Sequence, residues 1–181
     1  MSTPFPDAEK GVPGYNRDEV QDFLDRARRV FEDHEDGLTA DDIRGTVFRL
    51  VSKNGVNTHA VDEALWRLEE AFADKERAAA TLELGQEAYN QQVRERAQEI
   101  LDRAARPSRE RFRTVSMTRP GYHPGDVDEL CGEIAAYFQQ QASLSVTRVR
   151  THTFRTTLGG YDEAQVDALI NETVSVMLAV R

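Results

Sequence analysis

A chain of 181 residues with 39 % apolar and 30 % charged residues has room for one domain or two small ones, with a thin core. Its formal net charge of −9 argues against a dominant nucleic-acid role, because phosphate binding is carried by clustered Lys and Arg, and it makes attraction to anionic lipid a local matter. A single cysteine, Cys131, excludes a disulfide framework or a thiolate metal site within one chain. It falls on an apolar helical stripe and is read as a small buried hydrophobe. No window approaches the roughly 20 apolar residues that cross a bilayer, and the opening residues lack a signal-peptide core, so a cytoplasmic location is expected.

The chain starts with Pro4, Phe5, Pro6 and Pro13, an irregular stretch in which Phe5 can pack only by lying over another segment. Gly14-Tyr15-Asn16-Arg17-Asp18-Glu19-Val20 follows. Versions of it return at Gly55-Val56, Gly121-Tyr122 and Gly160-Tyr161, each with a valine in the same frame: Val20, Val61, Val127 and Val166. Self-similarity of this kind governs the architecture. Each version reads as a turn feeding a helix. The glycine is expected to supply φ > 0, and Asn16, Asn57 or Asp162 to cap the helix. Glu19 and Gln165 have the spacing of a reciprocal capping box. In the third version His123 takes the cap place, followed by Pro124 at the first helical position.

The first helix is expected from Arg17 to Asp36, stopped by Gly37, with Glu32, Asp33, Glu35 and Asp36 at the wrong pole of its dipole. Its apolar stripe is Phe23, Leu24, Ala27, Val30 and Phe31. Thr39 can cap a turn through Ile43, ended by Gly45, before an extended Val47 to Val51. Leu144 to Arg155 reads as a similar extended lead-in to the fourth version. Phenylalanine precedes every glycine, as Phe5, Phe48, Phe112 and Phe154, and is expected to plug the core beneath the turn.

Between Thr58 and Arg106 there is no proline and Gly85 is the one glycine, so one long helix or two abutting helices are expected, with Gly85 as a kink. Val61, Leu65, Leu68, Phe72, Ala79, Leu82, Tyr89, Val93 and Ile100 form a partial heptad seam. It reads either as a coiled-coil spacer or dimer seam, or as an amphipathic helix packed on its own chain. Pro107 and Ser108 end it. Arg94, Arg96, Arg103, Arg106, Arg109, Arg111, Arg113 and Arg119 make this junction basic. A salt-bridged, solvated face is favoured over a phosphate surface, since no recognised binding motif accompanies the arginines.

Catalysis has little to rest on. His34, His59, His123 and His152 share no ligand-like spacing, and no phosphate loop or nucleophile elbow occurs. No catalytic residue, metal or cofactor is assigned. Asp62, Asp128 and Asp167, which follow Val61, Val127 and Val166 in the first helical turn, read as structural, favoured there by the dipole.

Gly14 to Asp25, Asp41-Asp42-Ile43 with Phe48 beyond, and Gly160 to Asp167 resemble the amino-terminal domain of DivIVA, and the whole chain resembles the DivIVA-domain repeat proteins of actinobacteria. The resemblance implies tandem turn-helix repeats, mainly α, pairing as helical hairpins or short coiled coils with short extended lead-ins. It also implies a non-enzymatic scaffold or adaptor in bacterial cell division or polar growth. Such a scaffold works through contacts with other proteins, self included, and can touch the inner membrane face peripherally. The family's membrane contact is an apolar-basic pair just before the Gly-Tyr. Here those places hold Val12-Pro13, Lys53-Asn54, Arg119-Pro120 and Leu158-Gly159, which leaves Val12, Lys53 and Leu158 as candidate tips. The alternative is a cytosolic regulator that sequesters a partner through amphipathic helices. The expected division is residues 1–84 for repeats one and two, 85–107 for a helical connector, and 108–181 for repeats three and four. A helix of about 20 residues is about 30 Å long, and the connection from Gly37 to Asn57 can stretch about 70 Å. The second helix can therefore return and lie parallel to the first, and the third and fourth can do the same.

Overall fold

The computed structural model describes residues 5–33 and 37–180. The expectations on Pro4, the Asp33 side chain, His34, Glu35 and Asp36 lie outside what is described. The fold is mainly helical. Its elements are β1 (Gly14–Tyr15), α1 (Arg17–Asp33), α2 (Ala40–Arg44), β2 (Leu50–Val51), α3 (Thr58–Leu84), α4 (Gln86–Ala104), β3 (Pro120–Tyr122), α5 (Pro124–Phe138), α6 (Val146–Arg150), β4 (Thr156–Leu158) and α7 (Glu163–Ala179). The chain divides into two compact units, residues 1–79 and residues 80–181.

In unit 1, β1 and β2 pair antiparallel with Tyr15 opposite Leu50, and Val56 bridges both Tyr15 and Asp7. Tyr15 N–H donates to Val56 O at 3.0 Å and Val56 N–H to Tyr15 O at 2.9 Å, so the starts of α1 and α3 are stitched together. Further along, Lys75 Nζ donates to Phe31 O at 3.1 Å and the Phe31 and Phe72 rings lie 5.3 Å apart. The two helices are therefore parallel. Their apolar stripes meet in a core of Val20, Ala27, Val30, Ile43, Phe48, Val56, Val61, Leu65 and Phe72. Burying one such Val, Leu, Ile or Phe side chain stabilises by about 1.5–3 kcal/mol. Thr39 caps α2 in a capping box with Asp42, and Ala40 N–H donates to Glu76 of α3 at 2.7 Å.

Unit 2 repeats these connections. β3 and β4 pair antiparallel with Tyr122 opposite Thr156, and Tyr161 bridges both Tyr122 and Thr114. Tyr122 N–H donates to Tyr161 O at 3.0 Å and Tyr161 N–H to Tyr122 O at 2.8 Å, so α5 and α7 start from one sheet. Unit 2 adds a third helix. α4 packs against both α5 and α7 through Val93, Ile100 and Ala104. It runs against the direction of α7, since Tyr89 reaches Ala179 O while Arg96 reaches Glu172 and Ser175.

Of the two expectations for Thr58 to Arg106, the two-helix one holds, with the break where Gly85 takes φ +84°. Other expectations change. Val61, Leu65 and Phe72 of the partial heptad are spent in the core of unit 1, and Val93 and Ile100 in that of unit 2. The 85–107 stretch, expected as a helical connector, holds α4, which contributes Val93, Ile100 and Ala104 to the unit 2 core. Within the expected extended lead-in Leu144 to Arg155, residues Val146–Arg150 are helical, because Ser145 caps the turn by accepting from Arg148 N–H. Of the expected extended Val47 to Val51, only Leu50–Val51 is strand, and Val47 is exposed.

Candidate functional site

The four Gly-led turns meet in pairs. A Cβ on Gly14 would stand 2.5 Å from Val56 O, and one on Gly55 would stand 2.7 Å from Gly14 Cα. In unit 2 a Cβ on Gly160 would meet Tyr122 O at 2.5 Å and Gly121 C at 2.7 Å, and one on Gly121 would press on Tyr161 O. These glycines are needed because two backbones touch there. The positive φ expected of them belongs elsewhere, to Gly11, Gly37, Gly85 and Gly159.

Beneath each crossing, a tyrosine of one segment bonds the aspartate that follows the valine of its partner segment. Tyr15 pairs with Asp62, Tyr122 with Asp167, and Tyr161 OH donates to Asp128 Oδ1 at 3.2 Å. Burial pushes the Tyr122 and Tyr161 hydroxyls up to about 12, helped by the negative aspartate that each faces. Burial likewise raises the Asp62 and Asp167 carboxyls, with the tyrosine bond offsetting part of the shift. Asp128 differs. Burial raises it, but bonds from Ser108, Arg111 and Arg109 N–H outweigh this and leave it below the usual carboxylate range. Its ion pair with Arg111 measures 2.8 Å, with side-chain exposures of 14 % for Arg111 and 9 % for Asp128.

The phenylalanines pack against the tyrosine of the partner segment: Phe48 on Tyr15 at 5.5 Å, Phe112 on Tyr161 at 5.3 Å and Phe154 on Tyr122 at 4.9 Å. Phe5 packs on the unit 1 core, which Val56 shares. Val20, Val61, Val127 and Val166 are all buried.

The expected capping boxes at Asn16 and Asp162 are half made. Asn16 accepts from Glu19 N–H, but the Glu19 carboxylate accepts from Arg49 N–H at 2.8 Å, while Asn16 N–H donates to Arg49 O. Asp126 does the same with Arg155 N–H at 3.0 Å, and His123 N–H donates to Arg155 O. Gln165 likewise accepts from Arg113 N–H at 3.0 Å. Side chains at the third helical position thus lash the incoming segment to the helix start, while each cap's own N–H is given to that segment's carbonyl. The hydrogen bonds of Arg155 hold Asp126 well below the usual range.

The candidate tips are on the surface. Val12 is 51 % exposed, Leu158 is 61 % exposed, and Lys53 is also exposed. Much of the basic junction is absorbed within unit 2: Arg96 pairs with Glu172, Arg111 with Asp128 and Arg113 with Asp162. His59 sits by Glu63, His123 by Asp126, and His152 on the Phe154 ring. Burial pushes the Cys131 thiol up to about 12. Among the described residues, no cluster of three His, Cys, Asp or Glu could hold a metal, and no helix is long and apolar enough to cross a membrane.

Sequence reasoning missed that the tyrosines and aspartates are partners. A signal was present: the second segment, which lacks the tyrosine, faces the first, which has Gln21 in place of the aspartate. It also missed the buried Arg44–Glu69 pair at 2.6 Å. No described protein family, curated protein or solved structure matches the chain.

Proposed function

We propose that the chain is a non-enzymatic scaffold or adaptor of DivIVA type, working through protein–protein contacts in bacterial cell division or polar growth. Its architecture on this reading is four tandem turn-helix repeats. Repeats one and two pair in residues 1–84, and repeats three and four in residues 108–181, each pair imitating a two-chain parallel module within one chain. One observation carries the reading. Both units bind the starts of two helices through a glycine–glycine crossing, with a tyrosine–aspartate bond and a Phe–Tyr contact beneath it.

Such a crossing fixes two helices at one end and leaves their outer faces to carry partners. The exposed Val12, Lys53 and Leu158 beside the turns are the places for peripheral contact with the inner face of the membrane. A fluorescent fusion in the native host tests the proposal. Foci at poles or division sites are expected, with division or cell-wall growth proteins recovered by cross-linking. A uniformly diffuse signal would overturn it in favour of a cytosolic regulator that sequesters a partner. Flotation with anionic liposomes reads the tips separately, and loss of flotation in Leu158→Asp is expected if they touch lipid.

A further inference from the structure

Among the described residues, unit 1 has no counterpart of α4, and the shared valine frame shows what this leaves open. Val20 matches Val127 and Val61 matches Val166, which carries α1 onto α5 and α3 onto α7. In unit 2, α4 covers one side of that pair. Arg96 bonds Glu172 and Ser175, Ile100 lines a cavity with Leu169, and Cys131 and Val176 lie in the core that Val93 and Ile100 share. Cys131, Leu169, Thr173 and Val176 are all buried. Their matches in unit 1 are Leu24, Ala64, Leu68 and Ala71, and all four are only half-buried. Phe31, which matches Phe138, is 38 % exposed. One stripe of α1 and one of α3 thus form an apolar seat that stands half open.

Charge decides what fits the seat. At the place of Glu172, which Arg96 grips, unit 1 has Arg67, and at the place of Ala135 it has Arg28. Both arginines are exposed, and among the described residues neither is in an ion pair. The acids nearby on α3 already have neighbours: Glu63 lies by His59, and Asp74 pairs with Arg77. The α4 of a second copy is a poor occupant, because it would set Arg96 against Arg67, and like charges brought together are disfavoured.

We propose that this seat docks an acidic amphipathic helix of a partner protein. The helix runs antiparallel to α3, as α4 runs to α7, with apolar side chains on Leu24, Leu68 and Ala71 and a carboxylate on Arg67. An apolar helical stripe laid into a groove is a recurring recognition mode. Arginine suits the carboxylate because its planar fork matches it. The biological use of the seat rests on the scaffold reading above, in which the outer faces carry partners.

Two synthetic peptides of Gln86–Ala104 serve as probes, one of natural sequence and one carrying Arg96→Glu, each titrated into the full ¹⁵N-labelled chain. The Arg96→Glu peptide is expected to give saturable amide shifts at Leu24, Phe31, Leu68 and Ala71 with Kd below about 1 mM, and the natural peptide to bind there about tenfold more weakly. Arg67→Glu in the protein, an exposed change, should reverse that order, and Leu68→Asp should abolish both. No saturable shift at this face up to about 2 mM would overturn the proposal. So would shifts confined to unit 2, equal affinity for the two peptides, or an order unchanged in Arg67→Glu. Shifts at this face that grow with protein concentration alone would overturn it too, by showing that a second copy covers the seat. The comparison of the two peptides needs no variant of the protein, so it decides the matter even if Leu68→Asp misfolds. A failed titration beside intact polar foci removes the seat and keeps the scaffold, and a diffuse fusion beside a successful titration does the reverse.

Discussion

In unit 2 the buried hydroxyl of Tyr161 is answered by Asp128, while in unit 1 the corresponding places hold Val56 and Gln21, and Gln21 turns to Asp25 instead. A second pair behaves alike. Arg113 N–H is answered by Gln165, whereas unit 1 has Pro6, which has no N–H, facing Ala60. The comparison shows that the frame tolerates loss of a bond when donor and acceptor are lost together. A buried hydroxyl without its acceptor costs the desolvation of the group, but an apolar replacement of both ends can be nearly neutral. Unit 1 makes up its hold elsewhere, with the Arg44–Glu69 pair between α2 and α3, where unit 2 has α4 as a third helix.

The backbone crossing is common to both units, so breaking it should hurt them equally and most. Gly14→Ala and Gly121→Ala are each expected to cost upwards of about 3 kcal/mol, since the added methyl meets backbone that cannot turn aside. Urea unfolding of the full chain checks this, and a cost below about 1 kcal/mol for either would show that the crossing is dispensable. Next in size is a change felt by one unit only. Asp128→Ala should cost about 3 kcal/mol by leaving Arg111 and Tyr161 without their carboxylate, while Gln21→Ala stays within about 0.5 kcal/mol. Equal costs at the two positions would sink the comparison.

The smallest effect concerns pH. Bonds from Arg155 lower Asp126, bonds from Arg113 lower Asp162, and those from Ser108, Arg111 and Arg109 N–H bring Asp128 down against its burial. Groups lowered on folding add stability above their unfolded range, and it is lost as pH falls through the depressed values. In unit 1, burial raises Asp62 and Glu76. Their contribution is full at low pH and is lost as pH rises through the raised values. Asp42 and Asp167 oppose the trend in their respective units. Acidification should therefore loosen unit 2 first. Hydrogen exchange would show it as faster opening at Val127 and Val166 than at Val20 and Val61 between about pH 6 and 3.

Much of this frame is legible in the sequence because its signals are local. The caps Asn16, Asn57 and Asp162, Pro124 at the first turn of α5, the break at Gly85 and the four buried valines all follow from neighbours a few residues away. What was hidden is long-range. Connection length lets the first helix meet the second and the third the fourth, but that Gly14 lies against Gly55 and Tyr161 reaches Asp128 is decided by tertiary contact, which no spacing rule encodes. The glycines read locally as φ > 0 turns for the same cause: φ is a property of one residue, whereas close approach needs two. The Leu144 to Arg155 stretch reads as an extended lead-in, yet one serine cap and burial of Val146 and Val149 make α6 helical.

The matched losses also constrain how this protein can be shuffled. A chimaera that joined the Gly14 half of unit 1 to the Tyr161 half of unit 2 would seat a phenol over Gln21, and the reciprocal chimaera would leave Asp128 facing Val56. Neither half can change its genetic neighbour without inheriting an unanswered group, so each pair is bound to drift as one heritable piece.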